Sequence, residues 1–229
     1  MTLDEAMAAL EAAGTEQARK IYRRHGVADP MFGVSYAELG RLKKAIKRDQ
    51  RLAADLWATE VHDARILATM VAEPSAFDAP LVGAWAESAA DHAVLDAFAK
   101  DVVIHTPHAM AFAEEWIASS DPLLKRGGWS TVASLATFGP ADLPNAWFER
   151  LLPTIERDIH TAPNRVKEAM NTALIAIGSR SEVLRAPATA AAAHIGKVHV
   201  DHGETFCKTP DAVSYIAKAH SRRAARSTA

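Results

Sequence analysis

Three side chains on one predicted helix could act together. In SAADHAVLDAFAKDV, His92, Asp96 and Lys100 recur every fourth residue, so they lie one turn apart on a helix running from about Ser88 to Lys100. They point nearly opposite to a stripe of Val94, Leu95, Phe98 and Val102 that reads as core. A carboxylate held beside an electron-poor centre can stabilise developing positive charge or orient an attacking water. On spacing alone, Asp96 is a solvated acid with Lys100 four residues on, the favourable acid-first order for a helix pair.

A second set is cationic. Between Arg41 and Arg51 stand six basic residues and a single acid, Asp49. Lys43, Lys44, Lys47 and Arg48 belong to this band, and Arg19, Lys20, Arg23, Arg24 and His25 make another. Such a band is the footprint of a phosphate binder. It is also the ordinary solvated face of a helix, so spacing alone leaves both readings open. A third set, His199, Asp201, His202, Glu204 and Cys207, supplies metal-ligand types. Its spacing fits no zinc pattern, so no metal or other cofactor is expected. Cys207 as a nucleophile would need a nearby base, and the sequence shows none.

These groups need helices to hold them. Leu39, Leu42 and Ile46 form an apolar stripe on the basic helix near Tyr36–Lys47, which Ser35 caps with Glu38 in capping-box register. Ala53, Leu56 and Trp57 make the next stripe, and Ile66, Leu67, Met70 and Val71 a third. Further helices are predicted at 2–13, from Thr15, and at 50–58, 61–72, 79–87, 106–118, 121–137, 141–157, 163–178, 181–194 and from Thr209 to about His220. Gly127 and Gly128 inside the helix at 121–137 point to close approach of a neighbouring helix or a ligand backbone. The five tryptophans sit mostly at core spacing. About twelve helices in pairs of roughly 40 residues match the period of HEAT-type repeats. The expectation is one all-α domain over residues 1–229: a curved right-handed solenoid of antiparallel helix pairs, with an irregular segment at 195–208 and a flexible basic tail at 221–229.

Composition agrees. Alanine is frequent and aromatic residues are 7% of the chain, which suits close helix packing and disfavours a sheet. The longest candidate strand, 194–200, is short and isolated. The net charge of −2 over 229 residues argues weakly against nucleic acid, but segregated charge weakens that argument. One cysteine allows no disulfide within the chain and fits a reducing compartment. The acidic start MTLDEAMAALEAAG lacks the basic end of a signal peptide, and no window reaches the ~18 apolar residues of a membrane span. A cytoplasmic monomer is expected.

The run FGVSYAELGRLKKAIKRDQRLAADLWATEVHDARILATMVAEP resembles the DNA alkylation repair family, AlkD-type DNA glycosylases built from HEAT-like repeats. It shares the family's Gly-Val turn, leucine-rich basic helix, Leu-Trp helix, and acid-plus-Arg helix in His62, Asp63, Ala64 and Arg65. The resemblance extends from about Ile21 to Ser181. It implies excision of cationic N3- or N7-methylated purines from double-stranded DNA, without cofactor. A base that already carries positive charge leaves without a general acid, and a carboxylate beside the sugar steadies the oxocarbenium-like transition state. By this resemblance Asp96 matches the catalytic acid. His92 stands where the family has a cleft tryptophan, and Asn171 or Thr172 where it has a second. Arg126 or Lys125, in LLKRGGWS, fits the phosphate-gripping arginine, with Lys43, Lys44, Lys47 and Arg48 adding phosphate contacts. Trp129 or Trp85 could replace the missing aromatics. The segment HVDHGETFCKTPDA looks like the C-terminal extension of one branch of this family.

Three functions follow: an alkylpurine DNA N-glycosylase, a non-catalytic protein that binds DNA structure on the same scaffold, and a HEAT-like scaffold for protein partners. An acid retained among lost aromatics separates the first two. A basic face separates both from the third.

Overall fold

The computed structural model describes residues 1–227. Among these the chain is all-α, with two short 3-10 turns at Pro74–Ala76 and Val103–His105 and no strand. It divides into two compact units, Met1–Ala109 with His202–Thr205, and Met110–Asp201 with Phe206–Ala229.

The first unit holds α1 (Leu3–Ala13), α2 (Glu16–Arg24), α3 (Tyr36–Ile46), α4 (Gln50–Ala58), α5 (His62–Val71), α6 (Ala79–Ser88) and α7 (His92–Asp101). Most of these helices start on a short polar side chain that accepts a first-turn N–H: Thr2, Thr15, Ser35, Asp49, Asp78 and Asp91. Helix α5 packs against α3, α4 and α7, and every residue from His62 to Val71 is buried. Beside it lies an aromatic core in which Trp57 stacks on Trp85 with ring centroids 4.1 Å apart. Phe77 meets Trp85 edge-on at 4.8 Å, and Phe98 closes the cluster 5.6 Å from Trp85.

The first residues of α5 tie this unit together. The Asp63 carboxylate, fully buried, accepts backbone N–H groups from Phe32 at 2.6 Å, Gly33 at 3.1 Å and Val34 at 2.7 Å. It thereby fixes the turn that leads into α3. Arg65 donates to the Trp57 carbonyl at 3.1 Å and the Ser88 carbonyl at 2.9 Å, tying the ends of α4 and α6 to α5. His62 Nδ1 lies 2.7 Å from the Asp91 carboxylate that caps α7.

The second unit carries α8 (Ala109–Ala118), α9 (Pro122–Phe138), α10 (Asn145–Glu149), α11 (Leu152–Asp158), α12 (Asn164–Arg180), α13 (Glu182–Ile195) and α14 (Ala212–Ser227). Helix α12 packs on α9, α13 and α14. All five tryptophans of the chain are buried.

Several boundaries differ from the sequence reading. Ser35 caps α3, but Glu38 turns to Arg41, and the reciprocal capping box belongs to Thr2 and Glu5. Ser88 does not open α7. Its hydroxyl is held by Trp57 Nε1 and the Trp85 carbonyl, and Asp91 is the cap, accepting from Ala93 and Val94 at 2.8 and 3.0 Å. The helix expected over 141–157 breaks into α10 and α11, because Pro153 has no N–H to continue the ladder. Asp211, not Thr209, caps α14, which runs past His220 through most of the expected tail, and residues 228–229 lie outside the described residues. No helix among the described residues is long and apolar enough to cross a membrane.

Gly128 answers to a neighbouring helix. A Cβ there would stand 2.6 Å from the Ile117 nitrogen and 2.8 Å from the Ala113 oxygen of α8. Backbone cannot yield as a side-chain tip does, so Gly128→Ala is expected to destabilise the protein by about 1–3 kcal/mol despite its better helix propensity. Urea unfolding of the two proteins checks this, and equal midpoints would show that the helices separate freely.

Candidate nucleic-acid interface

Helix α3 presents one face to solvent. The Asp63 clamp sets where it begins, and the apolar stripe headed by buried Leu39 sets which side turns inward. That leaves Tyr36, Gly40 and Lys43 at positions i, i+4 and i+7, on a single outward strip. Lys44 flanks the strip, and Lys47 follows at the C-cap. Lys43, Lys44 and Lys47 are exposed and form no ion pair among the described residues. Arg41 is paired with Glu38, and Arg48 donates to the Ala72 carbonyl. The lysines are therefore the cations of this helix left available to an anionic partner.

The other end of the strip has the opposite character. Tyr36 is 53% exposed, yet its hydroxyl is crowded by protein, and Tyr22 and the carboxylates of Asp96, Asp91 and Asp101 add their field. Together they push its pKa up to about 12, so the phenol stays neutral. Asp96 and His92 are half-buried on α7, outside the buried stripe of Val94, Leu95 and Phe98. Lys100 Nζ lies 3.9 Å from Asp101 Oδ1. The seven-residue register between Tyr36 and Lys43 was visible in the sequence; the field of the α7 carboxylates at Tyr36 was not.

The remaining expected site residues lie in the second unit. Lys125 and Trp129 line a cavity of about 600 Å³ with Ile117, Asp158, Val166 and Met170, although Trp129 itself is 1% exposed. Arg126, expected on a phosphate, is instead buried. Its Nη1 donates to Glu168 Oε2 at 2.8 Å and the Arg165 carbonyl at 2.7 Å. Arg165 also reaches Glu168, at 3.3 Å. Burial opposes the charged form of Glu168, but the two arginines hold its carboxyl below the ordinary range. Of the two residues at the second tryptophan position, Asn171 is buried and donates to the Pro210 carbonyl at 3.0 Å, while Thr172 is exposed. No group of three or more His, Cys, Asp or Glu side chains among the described residues is arranged to hold a metal ion.

Comparison with known proteins places this geometry. The family model described as DNA alkylation repair enzyme matches residues 6–216. The uncharacterized protein Lin0241 of Listeria innocua is 30% identical over 97% of this chain and 99% of its own. The uncharacterized protein Lmo0209 of Listeria monocytogenes is 31% identical over the same shares. A solved structure superposes with a TM-score of 0.88 at 29% identity, covering 97% of this chain and 95% of its own. That protein is described as one of a new family related to the HEAT-like repeat DNA glycosylases, with affinity for branched DNA structures. The fold of this chain is thus all-α of the HEAT-like repeat type.

The Asp91–His62 pair that holds α7 to α5 is pH-sensitive in a defined direction. Burial raises the Asp91 carboxyl, but the His62 hydrogen bond and charge, with the Val94 and Ala93 amides, hold it below its ordinary value. A depressed folded-state value contributes stability above the unfolded carboxylate pKa, lost as pH falls through the folded one. Asp91→Ala should therefore cost about 2–3 kcal/mol at pH 7 through the lost cap and the orphaned imidazole. The deficit should shrink below about pH 4, where the unfolded carboxylate begins to protonate. Urea unfolding from pH 2.5 to 7 measures it, and a deficit independent of pH would refute the linkage.

Proposed function

The chain belongs to the DNA alkylation repair enzyme family, and we propose that it acts there by binding DNA structure, holding branched or distorted double-stranded DNA on the lysine-bearing face of α3. The observation that carries this reading is the set of exposed, unpaired Lys43, Lys44 and Lys47 on one outward side of a rigidly seated helix. The likeness to a protein with affinity for branched DNA supports it. Lysines grip phosphates without reading sequence, which suits recognition of shape. In the second unit Arg126 is neutralised by Glu168, which takes it out of competition for phosphate. The protein works as a monomer in the cytoplasm and needs no metal or organic cofactor.

A second reading, N-glycosidic hydrolysis, is supported by membership of the family and by Asp96, which stands half-buried on α7 outside its buried stripe. In that reaction the C1′–N bond of a 3-methyl or 7-methyl purine breaks, and its electron pair neutralises the cationic base. Asp96 steadies the oxocarbenium-like sugar, and water adds at C1′, losing a proton to the carboxylate or solvent. His92, one turn before Asp96 on α7, would border the sugar. Trp129 and Trp85 are both buried, so neither offers the exposed aromatic face that the family resemblance implies, and binding ranks first.

Fluorescence anisotropy with three-way, four-way and linear duplex DNA tests the first reading. Binding should be tighter for branched DNA and steep in salt. Replacing Lys43, Lys44 and Lys47 by alanine should weaken it at least about tenfold and flatten the log–log salt slope by roughly two to three. Absence of binding at low salt would remove both readings. Release of free methylpurine from alkylated duplex, compared with Asp96→Asn, tests the second. Release no greater than that variant's would eliminate hydrolysis and leave binding standing.

A further inference from the structure

Gly40 has no packing reason to be glycine. A Cβ at Gly14, Gly128, Gly139 or Gly178 would collide at 2.4, 2.6, 2.5 or 2.5 Å with the protein's own atoms. At Gly40 it would meet nothing within 4 Å. The residue sits in the middle of α3, where glycine lowers helix stability relative to alanine, and its φ is not positive. Neither turn geometry nor close helix packing requires it. What glycine does provide there is a gap in an otherwise side-chain-covered surface, between an aromatic ring one turn before and a lysine one turn after.

We propose that the outward strip of α3 is a track for a single DNA strand: Tyr36 stacks on an unpaired base, Gly40 lets the sugar–phosphate backbone close onto the helix, and Lys43, Lys44 and Lys47 hold the phosphates beyond. This rests on the DNA-binding reading and adds the part of the DNA that is recognised. Three observations converge on it. Tyr36 is among the few large apolar side chains left exposed, and it stands on the same helix face as the lysines. The glycine gap lies between them. The charges are sorted along the strip: Asp91, Asp96 and Asp101 act on the Tyr36 end, and the lysines begin about 10 Å along the axis. Carboxylates repel phosphate, so the tyrosine end accommodates the uncharged or cationic base and the lysine end takes the backbone. An aromatic face takes any base by stacking. Continuous duplex keeps its bases stacked within itself; a branch point offers unstacked ones.

The test places 2-aminopurine at an unpaired branch position and reads its fluorescence as protein is added. Wild type and Tyr36→Phe should quench it. Tyr36→Ala should not quench, and should lose about fivefold or more in affinity for branched DNA with little change for linear duplex. Gly40→Leu should weaken binding to both DNAs several-fold, while Gly40→Ala and Gly40→Leu melt no lower than wild type, separating loss of access from loss of fold. Quenching retained by Tyr36→Ala, or unchanged binding by Gly40→Leu, overturns the track. Wild type that binds without quenching also overturns it and leaves the DNA-binding reading intact. Wild type that binds no DNA removes both.

Discussion

A single buried carboxylate governs how the first unit is assembled. Asp63 is fully buried, and three consecutive backbone N–H groups, from Phe32, Gly33 and Val34, converge on its oxygens. A charge taken out of water is tolerated only when its lone pairs are filled in this way. Each of those amides would otherwise be an unsatisfied donor in the interior. The bond set therefore works in both directions: the turn solvates the carboxylate, and the carboxylate shapes the turn. Gly33, at φ +76° and packed against Arg19, fits a conformation that a side chain would strain. The start and azimuth of α3 follow, and with them the side of the helix that the lysines occupy.

Neighbouring residues extend the same logic. His62 reaches the cap of α7, and Arg65 reaches the carbonyl ends of α4 and α6, while its guanidinium lies 5.2 Å from the centre of the Trp57 ring. Within four consecutive positions, His62, Asp63 and Arg65 thus join five helices. The sequence resemblance singled out these residues, and the contacts of His62, Asp63 and Arg65 are architectural, so this part of the likeness speaks to the fold rather than to the chemistry.

The helices were largely legible because their signals are local. Apolar spacing and caps located α3, α4, α5, α6 and α9 to within a residue or two. Errors arose where two candidate caps stood close together, as with Ser88 and Asp91, or where a proline fell inside an apolar run, as in α11. The site was less legible, because pairing across the fold decides it. Nothing local to LLKRGGWS says that Arg126 meets Glu168, forty-two residues away. Asn171 and Thr172 are adjacent in sequence and opposite in exposure, a distinction that only the helix's orientation settles.

The two basic places resolve differently for a physical reason. In the second unit Arg126 is almost fully buried, so an unpaired guanidinium there would carry an uncompensated desolvation penalty, and Glu168 removes it. Neutralisation is thus the condition for folding, and it takes that cation out of competition for phosphate. On α3 the lysine stems lie on the surface, their ammonium groups stay hydrated, and no acid is needed to keep them there. Exposure makes their charge weak within the fold and strong toward a polyanion, whose bound counterions are released on contact. A near-neutral chain can therefore still offer a cationic surface: Glu168 neutralises the buried Arg126, Glu38 pairs with Arg41, and the lysines of α3 are left to whatever comes from outside.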